Sequence, residues 1–321
     1  MSNPFPKIHP ELQQAAKISP KLSFNKRSIW FINLLIRMMP SPKDLEGILI
    51  ENVHIPGQDD RTQIRLRIYK PENTSAPTPV LIWMHGGGYV IGRPEQDDAS
   101  CVQYVRDLGI TVVSVDYHCG PKHPFPAGLD DCYAALKWVA SHAQELNIDP
   151  NRIAVGGNSA GSGLAAALAQ LAHDRQEIKP AFQLLIYPML DDRTTLRTDI
   201  DDSHNITWHH KDNRFGWESY LGQECGADDV PPYSIPARRK DLSGLPPAWI
   251  GVGSLDVFHD KDVAYAQRLK ESGVECDLYI VPGAFHGFDV FDLKIPIVQE
   301  FRRSQMAAMK RYLGVITKLS S

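Results

Sequence analysis

The chain has 321 residues, 43% apolar and 22% charged, with 34 Lys and Arg against 38 Asp and Glu for a net charge of −4. That length fits about two domains, or one large domain with an insertion, and buries a sizeable core without staples; ordinary glycine and proline usage excludes collagen-like and low-complexity chains. No half is strongly basic, which excludes a nucleic-acid footprint, and the scattered Cys101, Cys119, Cys132, Cys225 and Cys276 form no CxxC pair, which argues for a reducing cytoplasm over a disulfide framework or a zinc knuckle.

Pro4, Pro6, Pro10 and Glu11 stand where a signal peptide needs an apolar run. Residues from about 10 to 40 read as helix, with Ile29, Phe31, Ile32, Leu35, Ile36 and Met39 at helical spacing. The stretch is apolar for a surface helix; it packs on a core or forms a lid over an apolar cleft, and the two are compatible. Asn33 and Arg37 interrupt it. At about half a membrane span it is too short to cross a bilayer, so no stable membrane insertion is expected and a soluble protein is predicted. Thr62–Tyr69 alternates apolar and polar, as a half-buried edge strand does. Val80–Met84 and Thr111–Val115 are the continuous apolar runs of buried parallel strands.

Further along, Ala127–His142 reads as helix, Arg152–Val155 as strand, Ala160–His173 as alanine-rich helix and Ala181–Tyr187 as strand. From 191 to 242 there is no strand signal and one short helical patch, Trp217–Leu221. A structureless loop of that length is rare inside a compact domain, so an inserted helical cap is predicted. A strand (Ala248–Val252), a helix (Lys261–Glu271), a strand (Cys276–Val281) and a last helix (295–313) follow. Alternation of this kind predicts an α/β fold with a mostly parallel sheet and helices on both faces. The expected division is N-terminal cap helices 1–45, a core of 46–190 and 243–321, and an inserted cap 191–242. The last strand, at a sheet edge, leaves a homodimer open.

Gly157-Asn158-Ser159-Ala160-Gly161 is a G-x-S-x-G run between a strand and a helix. A serine on such an elbow is held in strained backbone with its hydroxyl presented, beside the positive end of a helix. His85-Gly86-Gly87-Gly88 follows the strand Val80–Met84. Its glycines let backbone N–H groups converge on a developing oxyanion, with Ala160 N–H as the second source. The phosphate-binding alternatives GxxxxGK[ST] and GxGxxG are absent. His85 reads as a loop-fixing hydrogen bonder. For a base, His286 lies just after the strand Cys276–Val281, and Asp256 follows Ala248–Val252, so both reach the carboxyl edge of the sheet, where sites form. The order Ser159, Asp256, His286 is that of α/β-hydrolases. Asp260 competes for the acid role, but its place before a predicted helix suits an N-cap. His209-His210 reads as solvated cap, with no metal. Tyr89, Trp208, Trp217 and Tyr220 are candidate substrate contacts. Cys119 reads as a buried structural thiol.

Together these segments, with Tyr117–Asp131, Leu242–Pro247 and Phe285-His286-Gly287-Phe288, resemble the hormone-sensitive-lipase-like family of α/β-hydrolase carboxylesterases over roughly residues 45 to 315. The resemblance implies an α/β-hydrolase fold with a helical cap, the triad Ser159, Asp256 and His286, and an oxyanion hole from Gly87, Gly88 and Ala160. The chain departs from the family in Asn158 for Asp, His118 for Arg, Lys122 for Glu and His259 for Arg. Asn158 and His118 are expected to share one neutral hydrogen-bonded support. The expected activity is hydrolysis of a small-molecule ester with a short to medium acyl chain through an acyl-enzyme, with no cofactor. Amide hydrolysis is the near alternative. A small-molecule receptor on the same fold is disfavoured because all three triad residues are present. A base that must be neutral predicts kcat/KM rising with pH through roughly 6–7.

Overall fold

The computed structural model describes residues 5–19, 23–39, 42, 45–57, 63–199 and 205–315. A 3-10 turn, Pro10–Leu12, leads into α1 (Gln13–Ile18), and a separate helix α2 (Lys26–Arg37) follows. The single helix expected over 10–40 is therefore two. Ser19 is extended, as the residue before a proline prefers. Asn25 restarts the chain: its side chain accepts from the N–H groups of Arg27 and Ser28, while Ser28 Oγ accepts from the Asn25 N–H, a reciprocal cap.

The strands and helices of the core are β1 (Ile48–Pro56), β2 (Gln63–Pro71), β3 (Thr78–Met84), α3 (Asp98–Leu108), β4 (Thr111–Asp116), α4 (Ala127–Ser141), α5 (Ala143–Leu146), β5 (Ile148–Asn158), α6 (Ala160–Arg175) and β6 (Phe182–Ile186). After α7 (His210–Leu221) come β7 (Ala248–Gly253), α8 (His259–Glu271), β8 (Cys276–Val281) and α9 (Pro296–Leu313). The sheet order is β1-β2-β4-β3-β5-β6-β7-β8. β1, β2 and β4 pair antiparallel; the pairs from β4 to β8 are parallel. The segment read as an edge strand, Thr62–Tyr69, corresponds to β2 and lies second from the edge, because β1 covers it.

Alternation along β3 divides the core. Val80, Ile82 and Met84 face a cluster with α4, α6, α8 and Ile29 of α2, while Leu81 and Trp83 face a cluster with α1, α3 and α9. The insertion is held by one helix, α7, longer than the predicted patch, and by 3-10 turns at Asp192–Leu196 and Pro236–Arg238. Buried Asp192 closes it, accepting from the Arg238 guanidinium at 2.8 Å and from the Gly226 N–H at 2.6 Å. The loops after β3, β5, β7 and β8 meet at the carboxyl edge, as in open parallel sheets. Among the described residues no helix is long and apolar enough to cross a membrane.

Candidate active site

Ser159 sits between β5 and α6 with φ +54° and ψ −118°, a conformation that costs a non-glycine residue roughly 1–3 kcal/mol. Three backbone bonds hold it there. Its N–H donates to Ile186 O at 2.9 Å, and its carbonyl accepts from the N–H groups of Met189 and Gly163 at 3.0 and 3.1 Å. The flanking glycines have a steric reason. A Cβ on Gly161 would collide with the carbonyls of Met84 and His85, and one on Gly157 with Met84 O. The elbow can therefore press against the end of β3, which brings Ser159 beside the His85–Gly88 loop.

The loops after β7 and β8 supply the other two groups. Ser159 Oγ lies 2.9 Å from His286 Nε2, and His286 Nδ1 lies 2.8 Å from Asp256 Oδ2. A carboxylate at Nδ1 fixes the proton there and leaves the Nε2 lone pair toward the hydroxyl. The other Asp256 oxygen accepts from the Phe258 N–H at 2.9 Å, so the acid cannot swing away. Tyr187 and Phe258 meet the imidazole edge-on, with centroids at 4.8 and 5.1 Å. All three side chains are nearly buried, Ser159 and His286 at 7% exposure. Asp260 does not compete. It lies in the first turn of α8, which His259 begins, and it pairs with Arg197 at 2.6 Å.

Among the described residues, the N–H groups of Gly87, Gly88 and Ala160 donate to no protein acceptor, and Ala160 opens α6. Gly87 takes φ +128°, and its carbonyl accepts from Val90 and Ile91, which turns the loop back on itself. His85 fixes the loop. Its Nδ1 bonds Gly86 O at 2.8 Å, its carbonyl accepts from Tyr117 Oη at 2.6 Å, and its ring stacks on Tyr117. Burial lowers its imidazole below the ordinary value.

The aromatic candidates separate into two groups. A side chain on Gly88 would run into the Trp208 ring, so Trp208 is the one that roofs the loop, packed in turn on Phe24 at 5.0 Å. Tyr89, Trp217 and Tyr220 form a buried cluster behind it, with Tyr89 stacked on Tyr220 at 4.0 Å and its hydroxyl donating to Met189 O at 3.0 Å. Cys119 is half-buried, its thiol pushed up by burial.

The joint support expected of Asn158 and His118 does not form. His118 Nδ1 bonds Asp131 at 2.7 Å, a contact that raises its basicity, whereas Asn158 Nδ2 reaches Asp97 Oδ1 at 3.4 Å. Asp97 also accepts from Trp83 Nε1 at 2.7 Å, and burial pushes its carboxyl up to about 6. In the sequence it reads as one more polar residue of Glu95-Gln96-Asp97-Asp98; nothing there signals burial behind Ser159. Asp262 was equally hidden. It is fully buried on α8 with both oxygens unbonded among the described residues, and burial, with the Asp256 charge nearby, drives its carboxyl well up. Two further contacts bind the cap elements to the site. Thr207 Oγ1 donates to His286 O, and Asn33 of α2 bonds Val90 O and the Gly92 N–H.

Comparison with known proteins places these features in context. Residues 81–290 match the family described as alpha/beta hydrolase fold. The carboxylesterase NlhH of Mycobacterium tuberculosis is 34% identical over 311 residues, covering 96% of this chain and 97% of its own. The ethyl acetate hydrolase of Pseudomonas putida is 31% identical over 242 residues, 74% of this chain and 75% of its own. Among solved structures, a bacterial heroin esterase superposes with a TM-score of 0.90 at 37% identity, over 98% of this chain and 99% of that one.

Proposed function

Since the chain belongs to the alpha/beta hydrolase fold family, as a carboxylic ester hydrolase of its hormone-sensitive-lipase-like branch, we propose that Ser159, His286 and Asp256 carry out that hydrolysis. The reading rests on one observation, the unbroken Ser159–His286–Asp256 hydrogen-bond chain at 2.9 and 2.8 Å. The imidazole takes the Oγ proton as the oxygen attacks the ester carbonyl carbon. Asp256 stabilises the imidazolium that results. The N–H groups of Gly87, Gly88 and Ala160 receive the negative charge on the carbonyl oxygen. The alcohol leaves with the proton from Nε2, and water repeats the attack on the acyl-enzyme.

The substrate class is a short to medium acyl ester. The bulk of Trp208 over Gly88 supports it, as does likeness to a relative named for ethyl acetate, whose acyl group has two carbons. The division into an N-terminal cap of 1–45, a core of 46–190 and 243–321 and an inserted cap of 191–242 belongs to the same proposal. So do a homodimer formed along β8 and a reducing cytoplasm, which the free cysteines support.

Ser159→Ala is expected to lower kcat on p-nitrophenyl butyrate by roughly 10⁶ and to abolish fluorophosphonate labelling, with the fold retained. Near-normal turnover in that variant would refute the nucleophile. An acyl-chain series peaking beyond about ten carbons would refute the substrate class.

A further inference from the structure

α2 is apolar on almost every side, yet only one side is covered. Ile29, Ile32 and Ile36 face the core, and Asn33 between them grips the Val90–Gly92 backbone of the oxyanion loop. The opposite face presents Trp30 at 69% exposure, Phe31 at 54%, Leu35 at 50% and Met38 at 73%, with Leu34 also exposed. A helix that is hydrophobic all round is ordinarily buried, and among the described residues this face has no covering partner.

The charge around it identifies one. Between Glu11 and Asp44 there is no acidic residue, but there are Lys17, Lys21, Lys26, Arg27, Arg37 and Lys43, in a chain whose net charge is −4. Lys26, Arg27 and Arg37 stand exposed at the two ends of the helix. A second copy fits poorly. Pairing two α2 helices antiparallel across a two-fold axis sets Lys26 and Arg27 of one against Arg37 of the other, with no carboxylate on the segment to separate them. An aromatic and aliphatic face with cations at its margins is the pattern of helices that lie in the interface of an anionic bilayer.

We propose that α2 is a docking surface for an anionic phospholipid surface, which it engages lying flat, with Trp30, Phe31, Leu34, Leu35 and Met38 in the headgroup layer. Because Asn33 fastens the other side of the helix to the Val90–Gly92 end of the oxyanion loop, docking holds that loop about one helix diameter from the lipid, roughly 10 Å. Esters dissolved in that layer then meet the site without crossing bulk water.

The test is co-sedimentation of the full chain with vesicles of phosphatidylglycerol and phosphatidylcholine, against phosphatidylcholine alone. Binding is expected to the anionic vesicles, to weaken in high salt, and to shift the emission of Trp30, the only exposed one of the six tryptophans, to the blue. Neutralising the cations with Lys26→Gln, Arg27→Gln and Arg37→Gln is expected to lower partitioning about a hundredfold. Trp30→Ser with Leu34→Gln is expected to abolish it, while either variant keeps its turnover of a water-soluble ester, which shows that the fold survives. No binding, equal binding to both vesicle types, or a dimer in lipid-free solution that Trp30→Ser with Leu34→Gln disperses would each overturn the proposal. Binding is read without turnover, so its failure is separate from any failure of the triad assignment.

Discussion

Asp97 shows what a single buried residue can impose. Its carboxyl ordinarily titrates at 3.8 and is pushed up to about 6 by burial. Between those values the folded chain holds a proton that the unfolded chain has released, so folding stability falls as pH rises from about 4 through 6. The upper bound of that loss is roughly 3 kcal/mol. Asp97→Asn removes the titration and keeps an oxygen for Trp83 Nε1. The stability of the variant relative to the parent is therefore expected to rise by about 1–3 kcal/mol between pH 4 and pH 7.5 in urea unfolding. A difference that stays flat across that window would refute the buried-acid account. Asn158, the residue before Ser159, donates to the same carboxyl at 3.4 Å, so this titration takes place directly behind the elbow.

At the scale of elements, what the sequence revealed follows from how each element is solvated. β3, β4 and β7 are covered on both faces, and such strands appear as unbroken apolar runs. β1 reads Ile-Leu-Ile-Glu-Asn-Val-His-Ile-Pro with half its side chains wet, and α3 carries Asp98, Gln103, Arg106 and Asp107; neither has a clear period, and without β1 the alternating β2 reads as the edge. The proposed triad stands out in the sequence because its residues follow strands in a fixed order. The polar residues behind it do not, since the partners of Asp97, Asn158 and Thr207 are distant in sequence. The far edge yields a prediction of its own. Among the described residues β8 has no neighbour on one side, and it presents Ile280 at 40% exposure. An uncovered strand pairs readily. Sedimentation equilibrium is expected to find a dimer that Ile280→Lys converts to monomer; a monomeric parent would remove the edge from consideration.

Over the whole molecule, the segment of residues 8–12 is tied to α9 and to the loop after β8. Ile8 and Leu12 are buried in the cluster that holds Val298 and Phe301 of α9. The His9 N–H donates to Gly283 O at 2.9 Å, and Glu11 accepts from the Ile297 N–H at 2.9 Å. Gly283 begins the loop that carries His286. Removing residues 1–18 deletes two buried large aliphatic side chains, Ile8 and Leu12, each worth roughly 1.5–3 kcal/mol of burial, and releases one end of that loop. A fall in Tm on the order of 5–10 °C is expected, with kcat reduced more than KM is raised; unchanged kcat in the truncated chain would show that the first turn supports the fold alone.

The hydroxyl of Thr207 donates to the backbone oxygen of His286, and the indole one residue later covers the oxyanion loop. The ring above Gly88 and the imidazole of His286 are thus joined through one hydroxyl and a single step of backbone, so a displacement of the indole pulls on the same hydrogen bond that steadies the residue at 286.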